Sequence, residues 1–167
     1  QADAAVLARL GGTEVLATVV MSENVREGIG YFPLMVDYEE KLYAAGKIKG
    51  SRFIKLEGRP TDEAILSARL VDRSIRPLFP AGLRNDVQVI LTVLSFDKEN
   101  DPDVVGLNAA SAALSISSVP WAGPIAGVRI AKTEAGWALN PSYKTRVKST
   151  VNVMVAGTDE KILMLEA

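Results

Sequence analysis

Gly11-Gly12 stands between two apolar runs of strand character, Ala4 to Leu10 and Glu14 to Met21. Both glycines accept positive φ, so two strands joined by so short a link turn back on each other as an antiparallel hairpin. The first twenty residues are thereby committed to a sheet. Phe32 to Tyr38 alternates as a further strand. Val87 to Ser95 is a near-continuous series of β-branched and aliphatic residues, the pattern of a central strand. Ile125 to Ala131, Trp137 to Leu139, Thr150 to Val155 and Lys161 to Leu165 complete the set, with turns at Glu134 to Gly136 and at Gly157-Thr158-Asp159.

Two segments break the period of two. Thr61 to Arg76 reads as a helix: Thr61 is an N-cap residue, Asp62 and Glu63 complement the dipole in the first turn, and Pro77 and Pro80 stop it. A second helix opens at Asp101-Pro102 and runs to about Ser118, and its Ala and Ser content fits close packing against a sheet. The expected fold is α+β, a mixed sheet packed against two main helices. A chain of 167 residues is long enough to bury a core within one domain. Ahead of the first helix, Lys41 to Pro60 loses all pattern, interrupted by Gly46, Gly50 and Gly58. A loop of that length inside a compact domain is usually functional.

Composition removes whole classes of chemistry. With 0 Cys there is no disulfide, thiolate metal site or Cys nucleophile, and with 0 His there is no Ser-His-Asp arrangement and no imidazole-held metal. What remains is carboxylate, Lys, Arg, hydroxyl or backbone chemistry, in a chain whose composition favours the cytosol. No segment reads as a signal peptide or a membrane span. The net charge of −1 conceals a segregation: Lys41 to Arg76 holds nine basic residues against four acidic ones. A local surplus of that kind points to a polyanion site or to a solvated face.

Arg69, Arg73 and Arg76 are spaced four and three apart, so all three fall on one stripe of the first helix, opposite Ala64, Ala68, Val71 and Ile75. Two readings fit: a salt-bridged surface helix, in which Asp72 reaches Arg69 and Arg76, or a ladder for phosphates, whose oxygens match guanidinium forks. The preceding loop favours the second. It places Arg52, Phe53 and Lys55 between Gly50 and Gly58 with Arg59 just after, and cations interleaved with an aromatic ring suit a single strand of nucleic acid.

The runs Tyr43-Ala44-Ala45-Gly46-Lys47-Ile48, Gly50-Ser51 and Glu57-Gly58-Arg59-Pro60 carry a resemblance. So do the segment from Ala68 to Pro80 and the Val155-Ala156-Gly157-Thr158 turn. Together they resemble the bacterial polynucleotide phosphorylases (polyribonucleotide nucleotidyltransferases), and within them the first of two ribonuclease PH-like core domains. The resemblance implies a ribonuclease PH-like, ribosomal S5 domain 2-like fold. It also implies a ring-shaped homotrimer and 3′-to-5′ degradation of single-stranded RNA. Inorganic phosphate would be the co-substrate, nucleoside diphosphates the product and Mg²⁺ the cofactor, with polymerisation as the reverse reaction. Residues 1–167 would then be a single core domain, a fragment lacking its first strand and the rest of the enzyme. Arg52, Phe53, Lys55 and Arg59 would line a constriction that grips RNA, and Arg69, Arg73 and Arg76 would face RNA or phosphate.

The chain departs from that pattern where the second core carries catalysis. An Asp, an apolar residue and a Lys precede the Val-Ala-Gly-Thr turn there; here the positions hold Asn152, Val153 and Met154. An amide is a poorer Mg²⁺ ligand, and a thioether cannot replace an ammonium. A phosphate-binding Ser pair at the second helix is replaced by Pro102 and Asp103. No catalytic or metal-ligating residue is therefore expected in this domain. Mg²⁺ and catalysis are expected in a second core of the same polypeptide, with RNA grip and ring scaffold left to this one. The alternatives are a non-catalytic ribonuclease PH-like subunit of an exosome-type ring and an S5-like RNA-binding module.

Overall fold

The computed structural model describes residues 2–25, 27–48 and 59–167. Strands β1 (Ala4–Leu10) and β2 (Thr13–Val25) form the hairpin, in register from Leu10↔Thr13 to Ala4↔Val19. Gly11 sits at φ +60, and a Cβ there would meet the Asp97 carboxylate at 2.9 Å. That close approach has a purpose. Asp97 accepts the Gly12 N–H at 2.9 Å and the Thr13 hydroxyl at 3.0 Å, and also the N–H groups of Glu99 and Asn100, both at 2.8 Å. One carboxylate thus ties the hairpin to a turn 85 residues away in sequence.

Strand β3 (Leu34–Glu40) precedes helix α1 (Asp62–Ile75), and β4 (Asn85–Ser95) follows it. Strand β3 pairs parallel to β4 while β2 pairs antiparallel to it, giving a mixed sheet of order β1-β2-β4-β3. The run from Val87 is central, as its composition predicts. Strand β3 begins two residues later than its apolar pattern does, because Phe32 turns inward to stack on Phe79 with ring centroids 4.8 Å apart.

Helix α2 (Pro102–Ile116) leads into β5 (Ala126–Thr133) and β6 (Gly136–Leu139), then short helix α3 (Tyr143–Arg146), β7 (Val151–Gly157) and β8 (Ile162–Glu166). These last four strands form a second, antiparallel sheet of order β6-β5-β7-β8. The α+β class is as read from the sequence, with the strands divided between two sheets. Helix α2 is apolar on nearly every side, with Leu107, Ala109, Ala110, Ala113 and Leu114 at most 1% exposed. A helix of that kind must be covered all round. It packs on β1 and β2 and also on β5, where Asn108 and Ser111 bond the main chain of Gly127 and Ile125. Among the described residues no helix is long and apolar enough to cross a membrane.

Candidate nucleic-acid interface

The Thr61 hydroxyl accepts the Ala64 N–H at 3.0 Å and donates to Glu40 at 2.8 Å, so the cap of α1 is fastened to the end of β3. Ala64, Ser67, Leu70, Val71, Ser74 and Ile75 are buried. That sets Arg69 and Arg73 outward, as the 100° step predicts, and both are exposed. Among the described residues neither makes a hydrogen bond or ion pair. They flank a groove of about 490 Å³ between α1 and β3, whose lining includes Met35, Val36, Tyr38, Ile65 and Ala68.

Arg76, the third member of the stripe, is spent on the fold. Its Nη2 donates to Asp72 at 2.6 Å and to the Leu34 carbonyl at 3.2 Å, its Nε to Asp72 at 3.1 Å, and its Nη1 to the Phe32 carbonyl at 3.2 Å. The guanidinium also lies 5.7 Å from the centre of the Phe32 ring. Arg76 is thus salt-bridged, while Arg69 and Arg73 have no side-chain partner among the described residues. Asp72 goes to Arg76, not Arg69, because the two main-chain carbonyls fix where that guanidinium lies. Arg59 is exposed just ahead of the α1 cap. Arg52, Phe53 and Lys55 lie outside the described residues.

The start of α2 is built in the opposite way. Asp101 caps the helix, accepting the Asp103 N–H at 3.2 Å. Its other oxygen takes Arg129 Nε at 2.5 Å and Arg146 Nη1 at 2.9 Å. The three side chains are only 6%, 12% and 17% exposed. Arg146 also packs over the Tyr143 ring, 4.5 Å from its centre. Burial, reinforced by the Asp101 carboxylate, raises the Asp103 carboxyl above its ordinary value. Burial and Asp101 push the Tyr143 hydroxyl up to about 12. A helix N-terminus is a ready anion site, but this one already holds its own carboxylate and two guanidiniums. Arg129 and Arg146 escaped the sequence reading: Arg129 is the single cation in the run Ile125 to Ala131, and nothing separates Arg146 from the neighbouring Lys144 and Lys148 as the one that turns inward.

The positions where the family resemblance puts metal ligands do not fit an ion. Met154 is 0% exposed in the core, and the Asn152 side-chain oxygen faces Arg129 Nη1 at 3.4 Å. Met154 serves packing, and a cation beside Asn152 would meet the Arg129 guanidinium.

This α+β domain, with its mixed sheet, two main helices and arginine-bearing groove, has the ribonuclease PH type of fold that the solved structures below share. By sequence the chain belongs to the 3′ exoribonuclease family, domain 1 (RNase PH), which it matches over residues 1–120. It is 54% identical over 167 residues to the polyribonucleotide nucleotidyltransferase of Heliobacterium modesticaldum, covering 100% of this chain and 23% of that protein. To the polyribonucleotide nucleotidyltransferase of Thermomicrobium roseum it is 55% identical over 166 residues, covering 99% and 21%. The chain thus spans less than a quarter of these relatives. Among solved structures, the Archaeoglobus fulgidus exosome with RNA bound to the active site superposes with a TM-score of 0.74 at 19% identity, over 99% of this chain and 72% of that one. Rice (Oryza sativa) Rrp46 gives 0.77 at 14% identity, over 99% and 73%. At such identities the two structures speak for the fold alone. The resemblance to the polynucleotide phosphorylases is borne out.

Proposed function

We propose that this chain is the first ribonuclease PH-like core of a cytoplasmic, phosphate-dependent 3′-to-5′ exoribonuclease that releases nucleoside diphosphates from single-stranded RNA and runs reversibly as a polymerase. In this reading residues 1–167 form one core domain that contributes RNA grip and the scaffold of a homotrimeric ring. A second core of the same polypeptide supplies catalysis, Mg²⁺ and the inorganic phosphate site. The observation that carries it is the contrast within the Arg69-Arg73-Arg76 stripe. Two guanidiniums are exposed along a groove and have no partner among the described residues, while the third is locked to Asp72. Exposed, unmatched arginines attract phosphate, whereas the α2 N-terminus is already filled. The relatives' name supports the same assignment. Arg59, exposed ahead of the α1 cap, adds a cation to this surface, and Arg52, Phe53 and Lys55 are assigned to the same RNA grip.

The test is to incubate this chain with a poly(A) oligonucleotide, inorganic phosphate and Mg²⁺ while following nucleoside diphosphate and RNA binding in parallel. The expected result is binding without release, with binding weakened by Arg73→Glu. Release that survives Asn152→Ala and disappears in Arg69→Ala/Arg73→Ala would overturn the division of labour. Binding unchanged by Arg73→Glu at moderate salt would overturn the phosphate assignment.

A further inference from the structure

Strand β3 is an edge strand of its sheet. Val87 N–H donates to the Pro33 carbonyl at 3.0 Å, so in this parallel pair residues 33, 35, 37 and 39 direct their main-chain groups toward β4. Residues 34, 36 and 38 then direct theirs away from it, into the groove beside α1. Arg76 confirms the direction by reaching the Leu34 carbonyl from that side, and in doing so it closes that end of the edge. The next main-chain pair along the edge is the Val36 carbonyl and the Tyr38 N–H, an acceptor beside a donor. Among the described residues nothing bonds to either from the groove side.

The groove is also divided by charge. Arg69 and Arg73 line the α1 side, about 6 Å apart along the helix axis, while Asp37, which accepts from Gln88, and Glu39, paired with Lys41 at 2.9 Å, line the β3 side. Met35 and Ile65, 51% and 47% exposed, add apolar surface between them. A polyanion entering here is drawn to the helix, while the Asp37 carboxylate disfavours its charge at the strand. An acidic peptide added along β3 would set its carboxylates against Asp37. A nucleic-acid strand has the matching asymmetry: charge on one side, uncharged bases on the other.

We infer that the groove holds single-stranded RNA with successive phosphates on Arg69 and Arg73 and a base turned to the β3 edge, where the Val36 carbonyl and Tyr38 N–H bond its Watson–Crick edge. This rests on the reading of Arg69 and Arg73 as phosphate ligands and adds the orientation of the strand. Every nucleobase presents a donor next to an acceptor on that edge, so a main-chain pair of this kind accepts any of them. A duplex, whose Watson–Crick edges are occupied, is excluded. The groove thus selects single strands without selecting sequence.

The experiment is a titration of ¹⁵N-labelled chain with an oligoadenylate hexamer and with an abasic ribose-phosphate hexamer of equal charge, followed by NMR. Arg69 and Arg73 Nε resonances are expected to move with both ligands. The Tyr38 amide is expected to move downfield, and its hydrogen exchange to slow about tenfold, only with the base-bearing strand. If the arginines respond to both ligands but the Tyr38 amide responds to neither, or equally to both, the phosphate assignment survives and the base placement falls. If the arginines respond to neither, the underlying reading fails first. A Tyr38 amide protected by an acidic extended peptide, but not by oligoadenylate, would assign the edge to a protein strand instead.

Discussion

The outer face of α1 and the first turn of α2 are two clusters of Arg and Asp on neighbouring helices, and they are built for opposite ends. At α2 a carboxylate only 6% exposed is shared by two guanidiniums from β5 and α3. Charges that deep must be paired, because the cost of taking them from water is recovered only through each other. On α1, Arg69 and Arg73 are exposed and, among the described residues, unmatched, which costs the fold little and leaves them available to an outside anion. Arg76, half-buried, shows where one regime passes into the other within a single stripe. A count of cations cannot separate these cases; burial and partners do.

Breaking the buried cluster should have the largest effect. Asp101→Ala strands Arg129 and Arg146 without their counter-charge and is expected to cost about 3–5 kcal/mol in urea unfolding. A loss below about 1 kcal/mol would mean that water reaches the cluster and that the two helices are less different than they look. Asp97→Ala, at the hairpin, should cost about 2 kcal/mol by orphaning the donors it holds. This carboxylate also carries a pH signature. The N–H groups of Asn100, then Glu99 and Gly12, outweigh its partial burial and hold its pKa well below the ordinary value of 3.8. The folded chain therefore binds fewer protons than the unfolded one. The stability involved is present at neutral pH and is lost as pH falls below that value. Asp97→Asn should flatten the loss between pH 5 and pH 2.

Arg73→Glu sharpens the comparison from the other side. Its effect on unfolding is expected to stay within about 0.5 kcal/mol, while the salt dependence of RNA binding becomes shallower by about one unit of slope. A large stability loss with unchanged binding would invert the roles assigned to the two helices. The smallest effect is expected at Asp103, whose carboxyl is held above its ordinary value of 3.8 by burial and then by Asp101. Here the folded chain binds more protons than the unfolded one, so the residue weakens the fold as pH rises through that range. Asp103→Asn should therefore compare more favourably with the parent at pH 8 than at pH 4 in thermal melts. An equal difference at both would remove Asp103 from the charged cluster.

Features that depend on near neighbours were legible before any coordinates. The Gly11-Gly12 hairpin, the Thr61 cap and the outward stripe of Arg69 and Arg73 follow from turn chemistry, capping and a 100° step, each acting over a few residues. Strand composition likewise picked out β4 as central. The division into two sheets was not legible, since period and propensity say which residues form strands and not which strands meet. Nor could spacing announce that Asp101 would take Arg129 and Arg146, 28 and 45 residues away, or that Arg76 would find the carbonyls of Phe32 and Leu34. The sequence by itself determined the elements, the family and the stock of cations. The tertiary structure decided which cations are spent on the fold and which are left for a ligand. Pairing and desolvation are properties of groups brought together across the chain, and only strand order and helix packing bring them together.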